Sequence, residues 1–427
     1  MVKFSYTLVS NISFRSVCET MRDVYDKEAA ASTEVQGYQA APMMLSLENH
    51  CNAQGQLRLV KIMMEVWSDR VLSEAVRKQG HDEEHSEGDH TKHVRLADLG
   101  SKIVVIVEHH IPESTPDEIY EGSSSEDDDE EIKQAKAAYK EKKKATPTAG
   151  IIPELADLGV YAQSVKPSDD SWFTAKLKNA PHHHLINVSE SGLISHLPAA
   201  SAKIAQHNAH HLMRVFPKGT RISSKNLNPV PFWGVGAQIC ALNWQTFGAG
   251  MQINEALFSG SDGYVLKPAA LRAGGNGKLS TGKMKKLRLH IGGASDVPVP
   301  DGVEAETLKP YVSCLLVHPD DLAKAPTKRK TTPYKRHKLG FLRKGENPSS
   351  TDPIWNETLE WDYDDNELVF LRMLIKEDAS FATNPILVVA TVRLLYSVPE
   401  WRFIRMLDLK GRETKCSLLV KFEIADL

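Results

Sequence analysis

The 427-residue chain is short of cysteine, of long apolar runs and of net charge. Its five cysteines (Cys18, Cys51, Cys240, Cys314 and Cys416) are widely scattered and form no CxxC pair, a usage that suits a reducing compartment. No apolar run approaches the ~18–20 residues that cross a bilayer. The opening MVKFSYTLVSNISFRS has neither a continuous apolar core nor a small-residue cleavage site, so it does not read as a secretory signal. A net charge of −3 selects no partner; the distribution of charge is more informative. At this length the chain exceeds one typical domain of ~100–200 residues, and two or three domains are expected.

What is present changes character along the chain. Up to about His110 the pattern is α/β: MMLSLENH reads as a buried strand, and KIVVIVEHH as a second one rich in β-branched residues. Between them Leu57, Val60, Met64, Trp67 and Val71 recur at helical spacing, which predicts one apolar helix face. Strand–helix–strand alternation implies a parallel sheet with crossover helices. From Pro112 to about Ala149 the run SSSEDDDEEIKQAKAAYKEKKK places six consecutive acids (Glu126–Glu131) before six lysines. It lacks the apolar content to repay ordering entropy and reads as a disordered linker. The α/β character resumes with LGVYAQSV, AQICALNWQ and GYVLKP. After Lys285 seven apolar or alternating runs, separated by Gly, Pro, Asn and Asp, carry the signature of a β-sandwich.

Two stretches point to a family. MRVFPKGTRISSKNLNPVPFWGVGAQICALNWQT, followed by GYVLKPAALR, resembles the second catalytic half, the Y region, of eukaryotic, fungal-type phosphoinositide-specific phospholipase C. YTLVSNISFRSVCETM and MMLSLENHC resemble the end of the first half, the X region, and the β-rich tail is similar to the family's C-two domain. The resemblance implies an α/β TIM-barrel-like catalytic domain, incomplete here and split by a charged linker, followed by an all-β C-two-type sandwich. Its boundaries would be 1–111 for the X part, 112–149 for the linker, 150–275 for the Y region and 284–427 for the sandwich. It further implies cleavage of phosphatidylinositol 4,5-bisphosphate to diacylglycerol and inositol trisphosphate, with calcium as cofactor, phosphoinositide lipids and an anionic membrane surface as partners, and a cytoplasmic, membrane-peripheral location.

Roles carry over residue by residue. Glu48 matches the family's glutamate that ligates calcium or acts as base. Arg214 matches the arginine that binds a ring phosphate, a task suited to a guanidinium fork. Phe216 stands for the tyrosine that packs on the inositol ring, and Asn187 for a hydrogen-bonding serine. Phe4 stands where a family histidine is expected. The other catalytic histidine, its asparagine neighbour and an acidic pair would precede Met1, so the chain as given is expected to turn over poorly. Ile106 and Glu108 fall at the family's phosphate-binding lysines, and neither can neutralise a phosphate. These departures leave two readings open: a phospholipase C, or a catalytically dead relative that binds membranes and phosphoinositides.

Other features are weighed alongside. Phe232 and Trp233 are either membrane-dipping aromatics or barrel core. Lys328, Arg329, Lys330, Lys335 and Arg336 belong to a polybasic run on a loop or edge strand, which fits either docking on an anionic leaflet or a solvated face. In the sandwich, Leu308 and Lys309 stand where an aspartate is usual, and Glu377 with Asp378 makes a thin calcium site, so calcium-independent association is expected. His81, His85, His90 and His93 sit among acids at a spacing that fits no compact metal site. His182, His183 and His184 read as a structural feature or a pH-sensitive rim.

Overall fold

The computed structural model describes residues 12–34, 40–74, 76, 94–109, 150–167, 169–174, 177, 181, 183–217, 225–322, 326–336, 347–378 and 385–427. Phe4, the four histidines from His81 to His93, His182 and the 112–149 segment lie outside these residues.

The chain forms two compact units. The first draws on Met1–Ser224, Gly236–Ala241 and Ser261–Gly277, and the second on Lys225–Val235, Leu242–Gly260 and Lys278–Leu427. The expected boundaries kept the whole 150–275 stretch apart from the sandwich at 284–427. In the structure, two pieces of the 150–275 stretch pack with the β-rich region instead.

In the first unit six strands form one parallel sheet in chain order. They are β1 (Met43–Ser46), β2 (Ile103–His109), β3 (Gln163–Val165), β4 (His184–Ser189), β5 (Leu212–Phe216) and β6 (Ile239–Cys240). The β-branched run of β2 is buried on both faces, as a covered parallel strand requires. Ile103, Val105 and Val107 face a cluster built on Met63, Val66 and Trp67 of helix α2 (Ala53–Trp67) and on Phe14 and Cys18 of helix α1 (Phe14–Glu34). Asn52 caps α2 by accepting from the Gly55 N–H at 2.9 Å. The buried Trp67 indole donates to the Cys18 carbonyl at 2.9 Å and ties the two helices together.

The predicted apolar face of α2 is corrected. Leu57 and Met64 are 47% and 44% exposed, while Gln56, Met63, Val66 and Trp67 are buried. Gln56 is drawn inward because its amide donates to the Cys51 and Gly150 carbonyls and accepts from the Ile152 N–H. The other predicted positions hold: Trp67 and Val71 are buried, and Val60 packs against the same core. GYVLKP, read with the α/β elements, contains no strand.

The second unit is the sandwich. Its strands are β7 (Met284–Ser295), β8 (Pro310–Val317), β9 (Thr327–Lys330), β10 (Ile354–Asp364), β11 (Phe370–Glu377), β12 (Ile386–Arg393), β13 (Trp401–Leu407) and β14 (Glu413–Asp426). All seven predicted runs are strands, in the order β10-β7-β14-β13-β12-β11-β8-β9. The link between β12 and β13 is a single register pair, Val389 with Leu407, where the two layers join. Alternation along β10 sends Trp355, Leu359, Trp361 and Tyr363 into a core shared with Leu287, Leu289 and Ile291 of β7. The end strands meet as well: the Trp361 indole donates to the Thr327 carbonyl, and the Arg329 guanidinium to the Glu360 carbonyl.

Candidate active site

Period-two geometry builds the site in the first unit. Met44, Ile106, Ala162, Leu185, Leu212 and Ile239 pack together on one sheet face. Two residues further along each strand, the same face continues toward the C-terminal end. From Ile106, Leu185 and Leu212 that step reaches Glu108, Asn187 and Arg214. A hydrophobic layer therefore gives way to a polar rim at the end of the sheet where parallel barrels place their chemistry. Glu48 follows the end of β1 at the same rim.

Arg214 and Asn187 are register partners on β5 and β4. Arg214 Nη1 donates to Asn187 Oδ1 at 2.9 Å, which engages one of the guanidinium's five donors. The guanidinium also lies over the Phe216 ring, 5.7 Å from its centroid. Burial pulls Arg214 down from its ordinary value, and the nearby Glu48 charge opposes that pull. The Glu48 carboxylate is exposed and lies 3.2 Å from His50 Nε2. Its pKa is lowered, first by the hydrogen bond from His50 and then by the charges of His50, Arg214 and Lys166. Sequence reasoning missed His50 and Lys166. The signal for His50 was its position two residues after Glu48, on the same loop.

The expected departures have physical explanations. Ile106 is fully buried among apolar neighbours and is a core residue, so a phosphate ligand at that position would stand in hydrocarbon. Glu108 Oε2 accepts the Asn49 N–H at 3.1 Å and fixes the loop that carries Glu48.

Membrane contact through Phe232 and Trp233 is corrected: they are only 1% and 6% exposed. Both lie on the short helix α4 (Val230–Gly234). Trp233 packs on Phe258, the last residue of helix α5 (Ala249–Phe258), and on Phe370 of β11, with ring centroids 6.2 and 6.0 Å apart. A Cβ added to Gly250 of α5 would lie 2.3 Å from the Leu227 carbonyl, so only glycine permits that approach. Residues 225–235 and 242–260 thus pack with the sandwich inside the second unit. The exposed aromatics of this unit are others, among them Trp244 and Phe403 at 71% and 73%.

The polybasic run is an edge strand, as one of the two expected placements had it. β9 is exposed throughout, and Lys335 and Arg336 after it are exposed too. Arg329 is tied to Glu360, and Lys330 lies 5.7 Å from the Tyr311 ring centroid. Glu377 is buried and accepts the Lys309 N–H at 2.9 Å, so its carboxylate is already committed.

Family profiles match all three regions: "Phosphatidylinositol-specific phospholipase C, X domain" over residues 1–109, the corresponding "Y domain" over 155–270, and the "C2 domain" over 285–400. The chain belongs to the phosphatidylinositol-specific phospholipase C family. The chain is 28% identical over 316 residues to the 1-phosphatidylinositol 4,5-bisphosphate phosphodiesterase 1 of Candida albicans, covering 66% of the chain and 28% of the relative. It is 27% identical over 386 residues to the human "Inactive phospholipase C-like protein 1", covering 87% of the chain and 31% of the relative. Its fold matches the crystal structure of L. pealei PLC21 with a TM-score of 0.70 at 21% identity, over 98% of the chain and 48% of that protein. The chain spans about half or less of the length of these relatives. Phospholipase C and C2 domains are generally calcium-associated and point to lipid surfaces. Among the described residues no helix is long and apolar enough to cross a membrane.

Proposed function

We propose that this chain carries the substrate-binding side of a phosphoinositide phospholipase C acting on phosphatidylinositol 4,5-bisphosphate. The observation that carries the reading is the convergence of Glu48, Asn187 and Arg214 on one rim of the parallel sheet. In this proposal Arg214, oriented by Asn187, takes a ring phosphate in its fork, and Phe216 packs on the inositol ring. Glu48 accepts the proton of the inositol 2-hydroxyl as that oxygen bonds to phosphorus. The bond from phosphorus to the diacylglycerol oxygen breaks, and that oxygen takes up a proton. His50 keeps Glu48 ionised and so ready to accept.

A calcium ion takes 6–8 oxygen ligands, roughly, and a calcium site is rich in carboxylates. Among the described residues the rim offers the carboxylates of Glu48, within the field of Arg214 and Lys166, and of Glu108, which already accepts the Asn49 N–H. The described residues do not fit a calcium site, and no step above runs through the ion.

A second reading is favoured by Ile106 and Glu108. A core isoleucine and a backbone-bound glutamate where the family has phosphate-binding lysines suit a chain that binds lipid without cleaving it. One assay separates the two. Release of water-soluble inositol phosphates from vesicles, with and without added calcium and lost in Glu48→Gln and Arg214→Ala, supports the enzyme. Vesicle binding that depends on Arg214, with no release, supports the second reading. On either reading the membrane contact assigned to Lys328, Lys335 and Arg336 is a proposal for the sandwich edge, and a peripheral place at the cytoplasmic leaflet follows from it.

A further inference from the structure

At the N-terminal end of the parallel sheet, away from Glu48 and Arg214, three imidazoles meet. His184 opens β4, His207 lies in the last turn of helix α3 (Ser201–His210), and His211 follows that helix. One nitrogen of each lies within 4.8 Å of the corresponding nitrogens of the other two. The hydrogen bonds fix two tautomers. His184 Nδ1 is 3.2 Å from the Pro181 carbonyl oxygen. A carbonyl only accepts, so Nδ1 carries the hydrogen and Nε2 a lone pair. His207 Nδ1 is 3.0 Å from Asn208 Oδ1, while the amide nitrogen of Asn208 turns to the Met213 sulfur at 3.4 Å. His207 Nε2 therefore also carries a lone pair. The two Nε2 atoms stand 3.1 Å apart. At this distance the two nitrogens can share either a proton or a metal ion.

We propose that His184, His207 and His211 bind a divalent transition-metal ion of the zinc class. The donors are imidazole nitrogens, which suit zinc and its neighbours and not calcium or magnesium. Two nitrogens each ~2.0–2.1 Å from a tetrahedral ion sit about 3.3 Å apart, close to the observed pair. The outer nitrogens of His184 and His207 donate to oxygen acceptors, the usual support of a metal-bound histidine. Trp172 holds the His207 ring edge-on, with centroids 5.2 Å apart. The neighbouring carbonyls are already taken: Lys267 Nζ donates to Asn208 O, and the Gln238 amide donates to Asn208 O and His211 O.

A shared proton would also bridge His184 and His207, but it gives the third imidazole of the cluster, His211, no part. His211 stacks on His184 with centroids 4.0 Å apart and planes 15° apart. Two such parallel rings cannot aim at one ion, so loading turns the half-buried His211 ring out of its stack. The ion would tie the start of β4 to the end of α3 at the face of the sheet where barrels invest in stability. The site is independent of the phosphodiesterase reading.

The test uses the full chain, stripped with a chelator, checked by far-UV circular dichroism and titrated with Zn²⁺ in a calorimeter. One equivalent is expected to bind, with no competition from Ca²⁺, and to raise the melting temperature. His207→Gln and His184→Gln should each weaken Zn²⁺ binding at least about 100-fold, beyond the ~10–100-fold typical of losing an outer-shell partner. His210→Gln, on an exposed neighbour in the same helix, should leave it unchanged. If the variants do not fold, X-ray absorption of the zinc-loaded wild type decides, with three imidazole nitrogens at ~2.0–2.1 Å expected. No binding by the wild type, binding unchanged in the double variant His184→Gln/His207→Gln, or an absorption spectrum with fewer than two imidazoles overturns the proposal.

Discussion

Arg214 and Asn187 face each other in register on adjacent parallel strands, and their side chains are joined by a 2.9 Å hydrogen bond. The pairing orients the guanidinium at the rim of the sheet. The strand register therefore sets where the guanidinium stands.

Arg214→Ala should weaken binding of a soluble inositol polyphosphate by about 10–100-fold, since a hydrogen bond to a charged group is worth ~1.5–3 kcal/mol. Asn187→Ala should cost less, because it loosens the guanidinium without removing it. Isothermal titration calorimetry measures both. Equal affinity in Arg214→Ala and wild type would remove this arginine from the site.

Trp233→Ala should destabilise the second unit by roughly 3–5 kcal/mol, the usual range for emptying a buried tryptophan site. The folded variant should still bind anionic vesicles as the wild type does. Thermal melts and vesicle sedimentation check the two halves. A variant with an unchanged melt but lost vesicle binding would put Trp233 back at the membrane.

Charge reversal along the sandwich edge should weaken binding to anionic vesicles by about 1 kcal/mol per residue at low salt. The effect should be uneven. Lys328, Lys335 and Arg336 should contribute more than Arg329, whose guanidinium is held by the Glu360 and Lys328 carbonyls. Arg329→Glu as the most damaging single change would contradict the arrangement seen here.

Lys267 supplies a pH test. Burial pushes its ammonium down to about 8 from the ordinary 10.5. Between those values the unfolded chain holds more protons than the folded one, so stability rises with pH across that window. Below it the full unfavourable effect of burying the charge remains. Lys267→Met should flatten the rise, which a comparison of urea midpoints at several pH values from 7.5 to 10.5, or about that range, would reveal. Parallel profiles for variant and wild type would show that the two carbonyls it meets, Asn208 O and Gly236 O, hold the ammonium fully charged.

The sandwich was the most legible part of the sequence. Its strands alternate or run apolar between Gly, Pro, Asn and Asp, and period two is a local property that needs no partner to be seen. The strand β2 was legible for the same reason. Glu48, Asn187, Arg214 and Phe216 came from matched motifs, and no periodicity marked them. Their common rim follows once the strands pair in parallel, because each polar residue then lies two steps beyond a core residue.

Other features depended on contacts far apart in sequence. The burial of Gln56 rests on carbonyls as distant as Gly150, so a hydrophobic count that found Trp67 and Val71 still misplaced Leu57 and Met64. Phe232 and Trp233 looked equally fit for a membrane or a core, because an aromatic ring is apolar in either setting; Phe258 and Phe370 decided it. The runs of histidine around residues 81–93 and 182–184 drew the eye in the sequence, yet His184 finds its partners 23 and 27 residues away, at His207 and His211. By itself the sequence determined the strands, the family and the residue types at the rim, because those are written in local pattern and motif. Which side chains share a surface was decided only by tertiary structure, because it depends on register and helix rotation, which the whole chain sets together.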